Sequence, residues 1–385
     1  MTSRFALAAQ RIFDGEAWHE DAALIVAGGL IEGIVKRDAV PAGVAVTDGG
    51  SILAPGFIDL QVNGGGGLML NDKPDVDTLD IICKAQMPFG TTAVLPTLIT
   101  DTPEITRATI AAGAEAATRK VPGFLGLHLE GPHLSLARKG AHDPQLIRPM
   151  DDADERALIA ARNTMPVLLT TIAPESVKAG QVKALAAAGV VVSLGHTDTS
   201  YRTAKEYAEA GASMATHLFN AMSQIGNREP GLAGAAVDIS TFSAGLIADG
   251  IHVDPATMKI ALKAKNGPAR IFLVTDAMAT IGTDLKSFTL NGRTIKRENG
   301  RLTLEDGTLA GADLDMISAV RFMHEKIGEE LDEAIRMASL YPAEAVGQDH
   351  RLGRLAKGYA ANAVQLTDTL DVSATWIDGN KVFSA

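Results

Sequence analysis

One carboxylate and two imidazoles in this chain follow segments that read as β-strands, an arrangement that could bind a metal ion. Glu130 and His196 each end an apolar segment, and His217 lies near the end of a third. Two imidazoles and a carboxylate from separate strands suit a catalytic zinc-like ion that keeps one position open for water. Each histidine taken alone is more often a hydrogen-bonded structural residue at a loop than a metal ligand. Three such residues at matched strand ends favour the metal interpretation.

Other polar residues occupy the same kind of position. The predicted strand 52–63 ends with Asp59, Gln61 and Asn63, which the two-residue period of a strand places on one face. Asp276 ends a later apolar segment. Catalytic groups of a β/α barrel lie at the carboxyl ends of its strands. These residues therefore mark the edge of the fold where an active site is expected.

The elements that would position these residues are short apolar strands alternating with Ala-rich helical segments, a pattern typical of a parallel sheet. The eight predicted strands are residues 52–63, 91–97, 123–130, 167–172, 190–196, 212–219, 242–249 and 271–276. No Gly-x-Gly-x-x-Gly opens a helix after the first strand, which disfavours an open dinucleotide-binding sheet. We therefore predict an α/β fold with a closed (β/α)8 TIM-like barrel.

Both ends of the chain have a different pattern, with short strands separated by glycine-containing turns and no helical periodicity. We predict that residues 1–54 and 353–385 meet in one small β-sandwich domain. Residues 55–352 then form the barrel, with a β-rich insertion at about 284–309.

Composition excludes several classes of partner. A formal net charge of −11 provides no basic surface for nucleic acid or for an anionic membrane. No apolar run has the length of a membrane span, the N-terminus lacks the pattern of a secretory signal, and the single cysteine, Cys83, cannot form an internal disulfide. We therefore expect a cytoplasmic protein without nucleic-acid or membrane partners.

Seven segments carry a more specific signal when they are taken together. They are Pro-Gly-Phe-Ile-Asp at 55–59, His-Leu-Glu-Gly-Pro at 128–132, Ser-Leu-Gly-His-Thr at 193–197, Thr-His-Leu-Phe-Asn-Ala-Met at 216–222, Arg-Glu-Pro-Gly-Leu-Ala-Gly at 228–234, Ala-Asp-Gly-Ile-His at 248–252 and Val-Thr-Asp-Ala at 274–277. In this order they resemble the N-acetylglucosamine-6-phosphate deacetylases of the amidohydrolase superfamily. The resemblance implies hydrolysis of N-acetyl-D-glucosamine 6-phosphate to glucosamine 6-phosphate and acetate, in amino-sugar catabolism.

The end of the first strand decides how many metal ions this resemblance implies. Many amidohydrolases carry His-x-His there and bind two metals, whereas residues 61–63 here are Gln-Val-Asn. Neutral amides are poor ligands for a zinc-like ion. The resemblance then implies one divalent ion, expected to be Zn²⁺, held by Glu130, His196 and His217. Gln61 would contact a water molecule on that ion.

The resemblance also assigns roles in catalysis. Asp276 is expected to be the general base that takes a proton from the attacking water and returns it to the amine. The alternative is that Asp276 caps a following helix. His142 is expected to bind the substrate and to polarise its acetyl carbonyl. The alternative for His142 is a solvated loop residue.

By the same resemblance, the phosphate of the substrate is bound by Asn220, the backbone amide of Ala221, Arg228 and His252. The resemblance further implies a homodimer in which Arg228 reaches the neighbouring active site. The alternative is a surface arginine paired with Glu229.

Two other functions remain open at the level of the sequence. An epimeric substrate, such as N-acetylgalactosamine 6-phosphate, would fit the same phosphate-binding residues. A barrel that has lost its chemistry and serves as a scaffold is the alternative of another class, because fold alone does not determine function.

Overall fold

A computed structural model describes residues 4–385 of the chain. Eight parallel strands form one sheet in which sequence neighbours pair. They are Phe57–Val62, Thr91–Ile99, Gly126–Glu130, Val167–Ile172, Val191–Leu194, Met214–Ala215, Ser243–Ile247 and Ile271–Val274. A parallel bridge between Val62 and Ala277 brings the chain after the eighth strand back beside the first. The predicted (β/α)8 barrel is confirmed.

Helices cover the outside of this barrel, so its strands are buried on both faces, as parallel sheets require. The α-helices of the described residues are Val76–Gln86, Pro103–Arg119, Asp152–Arg162, Ala179–Ala187, Tyr201–Ala210, Gly231–Asp238, Pro255–Ala264, Met316–Phe322, Leu331–Ala338 and Leu340–Ala345. Several begin at a side chain that accepts a hydrogen bond from the first turn, namely Asp75, Thr102, Asp151, Ser200, Asp254 and Asp315. The starting points of these six helices are therefore set by local sequence.

The predicted first strand is two strands in the structure. Ile52–Pro55 pairs with Ala363–Leu366 in another sheet, and only Phe57–Val62 belongs to the barrel. The chain passes between the sheets at Gly56, where a Cβ would lie 2.3 Å from the side chain of Thr92. This close approach explains why the break falls at a glycine, and periodicity alone did not reveal it.

Strands from both ends of the chain share one sheet. In spatial order its members are Asn380–Ser384, Val372–Ile377, Ala363–Leu366, Ile52–Pro55, Arg4–Phe13, Trp18–Ala27 and Leu30–Lys36, and Ala45–Asp48 also pairs with Arg4–Phe13. Alternate residues of the strands contribute to two apolar clusters, one containing Leu7 and the other Ala6. The exact division of the chain into 1–54 with 353–385 and 55–352 stays a prediction.

A four-stranded antiparallel sheet follows the eighth barrel strand, and we call it the inserted sheet. Its strands are Ser287–Leu290, Arg293–Glu298, Arg301–Thr303 and Leu309–Ala312, so it extends slightly past the predicted limit of 309. Leu290, Ile295 and Leu302 pack in one cluster with Met278. The inserted sheet therefore lies against the loop that leaves the eighth strand.

Among residues 4–385, no helix has both the length and the apolar character that a membrane crossing needs.

Candidate active site

Three candidate ligand atoms meet at the carboxyl end of the barrel. Glu130 Oε1 lies 3.1 Å from His196 Nε2 and 3.1 Å from His217 Nε2, and the two Nε2 atoms are 3.0 Å apart. All three side chains are buried. Ligands of a tetrahedral zinc ion at about 2.0–2.1 Å would be separated by roughly 3.4 Å, so a small outward movement would fit an ion.

The backbone at the strand ends aims these side chains inward. His196, His217 and Asp276 have φ angles of +48°, +32° and +53°, in the left-handed region that residues other than glycine rarely adopt. Such conformations concentrate at functional sites, where the surrounding structure holds them. These conformations explain why the regular strands stop two residues before each of the three side chains, at Leu194, Ala215 and Val274.

The ring orientation of His196 suits metal binding. Its Nδ1 lies 2.8 Å from the carbonyl oxygen of Arg138, and a carbonyl can only accept a hydrogen bond. The ring proton therefore sits on Nδ1, and the lone pair of Nε2 points to Glu130 and His217. A hydrogen bond of this kind is the usual support of a metal-binding histidine.

His142 is a second candidate for the third ligand. The ligand atoms of Glu130, His142 and His196 all lie within 4.8 Å of one another. His217 is nearer, because its Nε2 lies 3.0–3.1 Å from a ligand atom of both Glu130 and His196. The shorter contacts favour His217. His142 is only 3% exposed, which excludes the alternative of a solvated loop histidine.

Charges in this cluster shift one another's protonation. Burial alone would raise the pKa of Glu130, but its contacts with His196 and His217 hold it well below its usual range. Burial would lower the pKa of His217, and its contact with Glu130 reverses that effect and raises it. Burial lowers the pKa of His142, and the neighbouring His196 lowers it further. The site therefore stabilises a carboxylate in contact with positive charge.

Asp276 is held by two amide side chains. Its Oδ1 accepts hydrogen bonds from Asn63 Nδ2 at 2.6 Å and from Gln61 Nε2 at 3.1 Å. Among the described residues, Oδ2 has no hydrogen-bond partner. Burial and the charge of Glu130 raise the pKa of Asp276 to about 6. No helix start receives this carboxylate, so the alternative role as a helix cap is wrong.

Gln61 links the two carboxylates of the site. Its Nε2 lies 3.3 Å and 3.4 Å from the two oxygens of Glu130, besides its bond to Asp276. The sequence places Asn63 at the end of the first strand but does not show its contact with Asp276. Gln61 and Asn63 are two residues apart, so they face the same side of the strand, and this spacing is the feature of the sequence that indicates a shared role.

Asp59, the third polar residue of that face, lies beneath the site. It is fully buried, and its Oδ2 accepts from Thr275 Oγ1 at 2.5 Å while its Oδ1 accepts from the backbone N–H of Thr275. Burial raises the pKa of Asp59 to about 7, although these hydrogen bonds oppose the shift. Asp59 thereby connects the first strand to the eighth, just before Asp276.

A cavity of about 400 Å³ opens above these groups. The three candidate ligands, Asp276 and His142 line it together with Asn220, Ala221 and His252. His252 Nδ1 lies 2.6 Å from Asp249 Oδ2, so the carboxylate orients the ring. The predicted catalytic and phosphate-binding residues therefore share one cavity, with the exception of Gln61 beneath it and of Arg228.

Arg228 lies in an exposed loop and does not line the cavity of its own chain. Its predicted alternative partner, Glu229, accepts instead from the backbone N–H groups of Tyr201 at 2.7 Å and Gly231 at 2.9 Å. Within the described part of the chain, Arg228 forms no ion pair. The expectation that it reaches a neighbouring subunit stays a prediction.

The inserted sheet contributes a wall of the cavity that sequence reasoning missed. Leu290 and Leu309 line the cavity, and Arg293 Nη2 donates a hydrogen bond to the carbonyl of Ala141. The insertion was predicted from its hairpin pattern, but a strand pattern does not show which distant loop a sheet will contact. Because Ala141 precedes His142 directly in the chain, this hydrogen bond ties the inserted sheet to the loop that carries His142.

Comparison with known proteins agrees with this architecture. Residues 52–382 match the model of the amidohydrolase family, and residues 4–53 match a model described as the NagA composite domain. An N-acetylgalactosamine-6-phosphate deacetylase of a Shewanella species is 44% identical over 333 residues, which are 86% of this chain and 84% of that protein. An N-acetylglucosamine-6-phosphate deacetylase of Haemophilus influenzae is 37% identical over 93% of this chain and 94% of its own length.

Solved structures give the same result. The crystal structure of N-acetylglucosamine-6-phosphate deacetylase from Pasteurella multocida superposes with a TM-score of 0.95 at 36% identity, covering 99% of this chain and 100% of that one. The resemblance found in the sequence is therefore confirmed, and this chain belongs to the amidohydrolase family.

Proposed function

We propose that this protein hydrolyses the N-acetyl group of N-acetyl-D-glucosamine 6-phosphate, releasing acetate and D-glucosamine 6-phosphate, with one divalent metal ion. The mutual contact of Glu130, His196 and His217 beside Asp276 is the main support for it. Relatives that act on this substrate by name match nearly the whole chain.

The ion would be held by Glu130, His196 and His217, and the donor set fits Zn²⁺. Zinc prefers imidazole and carboxylate ligands, and three protein ligands leave a position for water. When bound, a divalent ion supplies Lewis acidity, which acidifies water and polarises a carbonyl group.

Asp276 moves the proton in this mechanism. Its Oδ2 accepts a proton from the attacking water and delivers it to the amine nitrogen as the carbon–nitrogen bond breaks. The bonds from Asn63 and Gln61 to Oδ1 support this role, because they fix the carboxylate with Oδ2 available. The same residue thus acts first as a base and then as an acid.

His142 and the phosphate-binding residues orient the substrate. His142 would donate to the oxygen of the acetyl group, where negative charge develops during attack. Asn220, the backbone N–H of Ala221 and His252 would bind the phosphate. Their position in the same cavity as Asp276 supports this division of the site into a reacting end and an anchoring end.

We further propose a homodimer in which Arg228 completes the phosphate site of the neighbouring subunit. Its exposed position and lack of an ion-pair partner within residues 4–385 are consistent with this role. The nearby Ile225 is 57% exposed, and an apolar side chain on this loop fits a contact with another subunit. Because charged sugar phosphates do not cross membranes freely, we place the enzyme in the cytoplasm.

N-acetylgalactosamine 6-phosphate is a second candidate substrate. The Shewanella relative named for it is 44% identical, and an Escherichia coli relative named for it is 36% identical over 97% of this chain. The two sugars differ only in the configuration at one hydroxyl group. The same metal ligands and the same base would serve both.

Acetate release tests these proposals on protein whose metal content has been measured. The substrates to compare are N-acetylglucosamine 6-phosphate, its galactosamine epimer and unphosphorylated N-acetylglucosamine. We expect the highest kcat/KM for the glucosamine phosphate and a large loss without the phosphate. A higher value for the epimer would establish the second candidate, and metal-loaded protein inactive on all three would favour a silent scaffold.

A further inference from the structure

Thr100 follows the second barrel strand and contacts His142 through two of its own atoms. The backbone N–H of Thr100 donates to His142 Nδ1 at 3.3 Å, and Thr100 Oγ1 lies 2.7 Å from the same nitrogen. Thr100 is 1% exposed and His142 is 3% exposed. Water therefore does not compete for this contact.

The two contacts determine where the ring proton of His142 sits. A backbone N–H can only donate, so His142 Nδ1 must present its lone pair. A proton on Nδ1 would face the N–H of Thr100 and leave that buried donor without an acceptor. A neutral imidazole carries one proton, which must then be on Nε2.

The hydroxyl of Thr100 is confined on its other side by the loop that follows Glu130. Gly131 has a φ of +87°, and a Cβ at this position would lie 2.2 Å from Thr100 Oγ1. The absence of a side chain at Gly131 thus makes room for the hydroxyl. Because His142 Nδ1 presents its lone pair, the hydroxyl of Thr100 is the donor in the 2.7 Å contact.

The geometry points to Thr100 as a positioning residue that fixes His142 in the tautomer with its proton on Nε2. This tautomer donates a hydrogen bond from Nε2 and has no lone pair there for a metal ion. His142 is thereby reserved for the acetyl oxygen, and the metal is left to Glu130, His196 and His217. The inference deepens the proposed function and rests on it for the role of His142.

The direct test is ¹⁵N NMR of zinc-loaded protein with labelled histidine. The signals of His142 are assigned by their loss in His142→Gln. We expect a protonated Nε2 and an unprotonated Nδ1 in the unsubstituted protein and in Thr100→Ser, which keeps the hydroxyl. Thr100→Val keeps the backbone N–H but loses the hydroxyl, so Nε2 should stay protonated while the signal of the unprotonated Nδ1 shifts as it loses its shorter contact. A proton on Nδ1 in the unsubstituted protein, or an Nδ1 signal in Thr100→Val that is identical to that of the unsubstituted protein, would overturn the inference.

Kinetics provides the second measurement. Loss of one net hydrogen bond corresponds to about a three- to tenfold effect, so we expect Thr100→Val to lower kcat by this factor with little change in KM. Thr100→Ser should restore kcat. Thr109→Val is the matched control, since Thr109 is equally buried but its hydroxyl bonds only to the carbonyl of Ile105 within its helix. An equal loss of kcat in Thr109→Val would mean that the effect is structural.

The two measurements separate this inference from the proposed function. The NMR pattern does not require turnover, so it can establish the tautomer in a protein that hydrolyses none of the three sugars. Inactivity with the expected pattern would reject the proposed function alone. Activity with the opposite pattern would reject the role of Thr100 alone.

Discussion

Asp276→Asn separates catalysis from folding at this site. Asn63 and Gln61 both donate to Asp276 Oδ1, so they require an acceptor at that position. In the variant, the amide oxygen can take the place of Oδ1 and keep both hydrogen bonds. The amide nitrogen then replaces Oδ2 and has no lone pair that can accept a proton. The substitution therefore removes the proposed base with little change in shape.

The size of the effect follows from these contacts. General acid–base catalysis contributes about 10²- to 10⁴-fold, so kcat should fall by about that factor, or roughly 3–5 kcal/mol in the barrier. Stability should change little. The hydrogen bond from Asn63 loses its charged acceptor, but the variant no longer has to bury a carboxylate whose pKa is raised to about 6 by burial and by Glu130.

The assay combines acetate release, metal content and thermal unfolding on the same preparation. We expect full metal content, a Tm close to that of the unsubstituted protein and a severe loss of kcat. A variant with normal metal content and fold that turned over substrate at the normal rate would refute the assignment of Asp276 as the base. Thr109→Val again serves as a control for the handling of variants.

Three further substitutions test the support around the site. Asn63→Leu removes the 2.6 Å hydrogen bond to Asp276. A hydrogen bond to a charged group contributes about 1.5–3 kcal/mol, so kcat should fall about ten- to a hundredfold. An unchanged kcat would contradict the role of Asn63. Arg228→Ala should raise KM for the phosphorylated sugar far more than it lowers kcat, and an unchanged KM would argue against its role at a neighbouring site. Arg293→Ala removes the hydrogen bond to the carbonyl of Ala141 and should raise KM severalfold. Arg293→Lys keeps a donor and should recover part of the loss. Equal kinetics in the unsubstituted protein and both variants would exclude this contact from substrate binding.

The sequence was sufficient to predict the barrel and the polar residues at the carboxyl ends of its strands. Parallel strands end at one edge of a sheet, so polar residues at their carboxyl ends must converge. Glu130 and His196 were identified by this rule, and the structure brings their ligand atoms to 3.1 Å. Some regular strands are nevertheless shorter than predicted: Met214–Ala215 replaces the predicted strand 212–219, because the positive φ angle at His217 interrupts it.

Contacts between distant segments could not be predicted from one sequence. Periodicity shows which face a side chain occupies, but it does not show which loop will lie opposite. The bond between Asn63 and Asp276 joins residues that are 213 positions apart. The contact of Arg293 with Ala141 likewise depends on how the inserted sheet folds back over the barrel.

One zinc ion shared by Glu130, His196 and His217 is the central claim. A crystal structure of the zinc-loaded protein, with anomalous diffraction measured on both sides of the zinc absorption edge, tests it directly. We expect one anomalous peak at about 2.0–2.3 Å from a Glu130 oxygen and from both Nε2 atoms, with His142 outside this distance. An ion bound by His142 in place of His217, or no zinc peak between these residues, would contradict the claim.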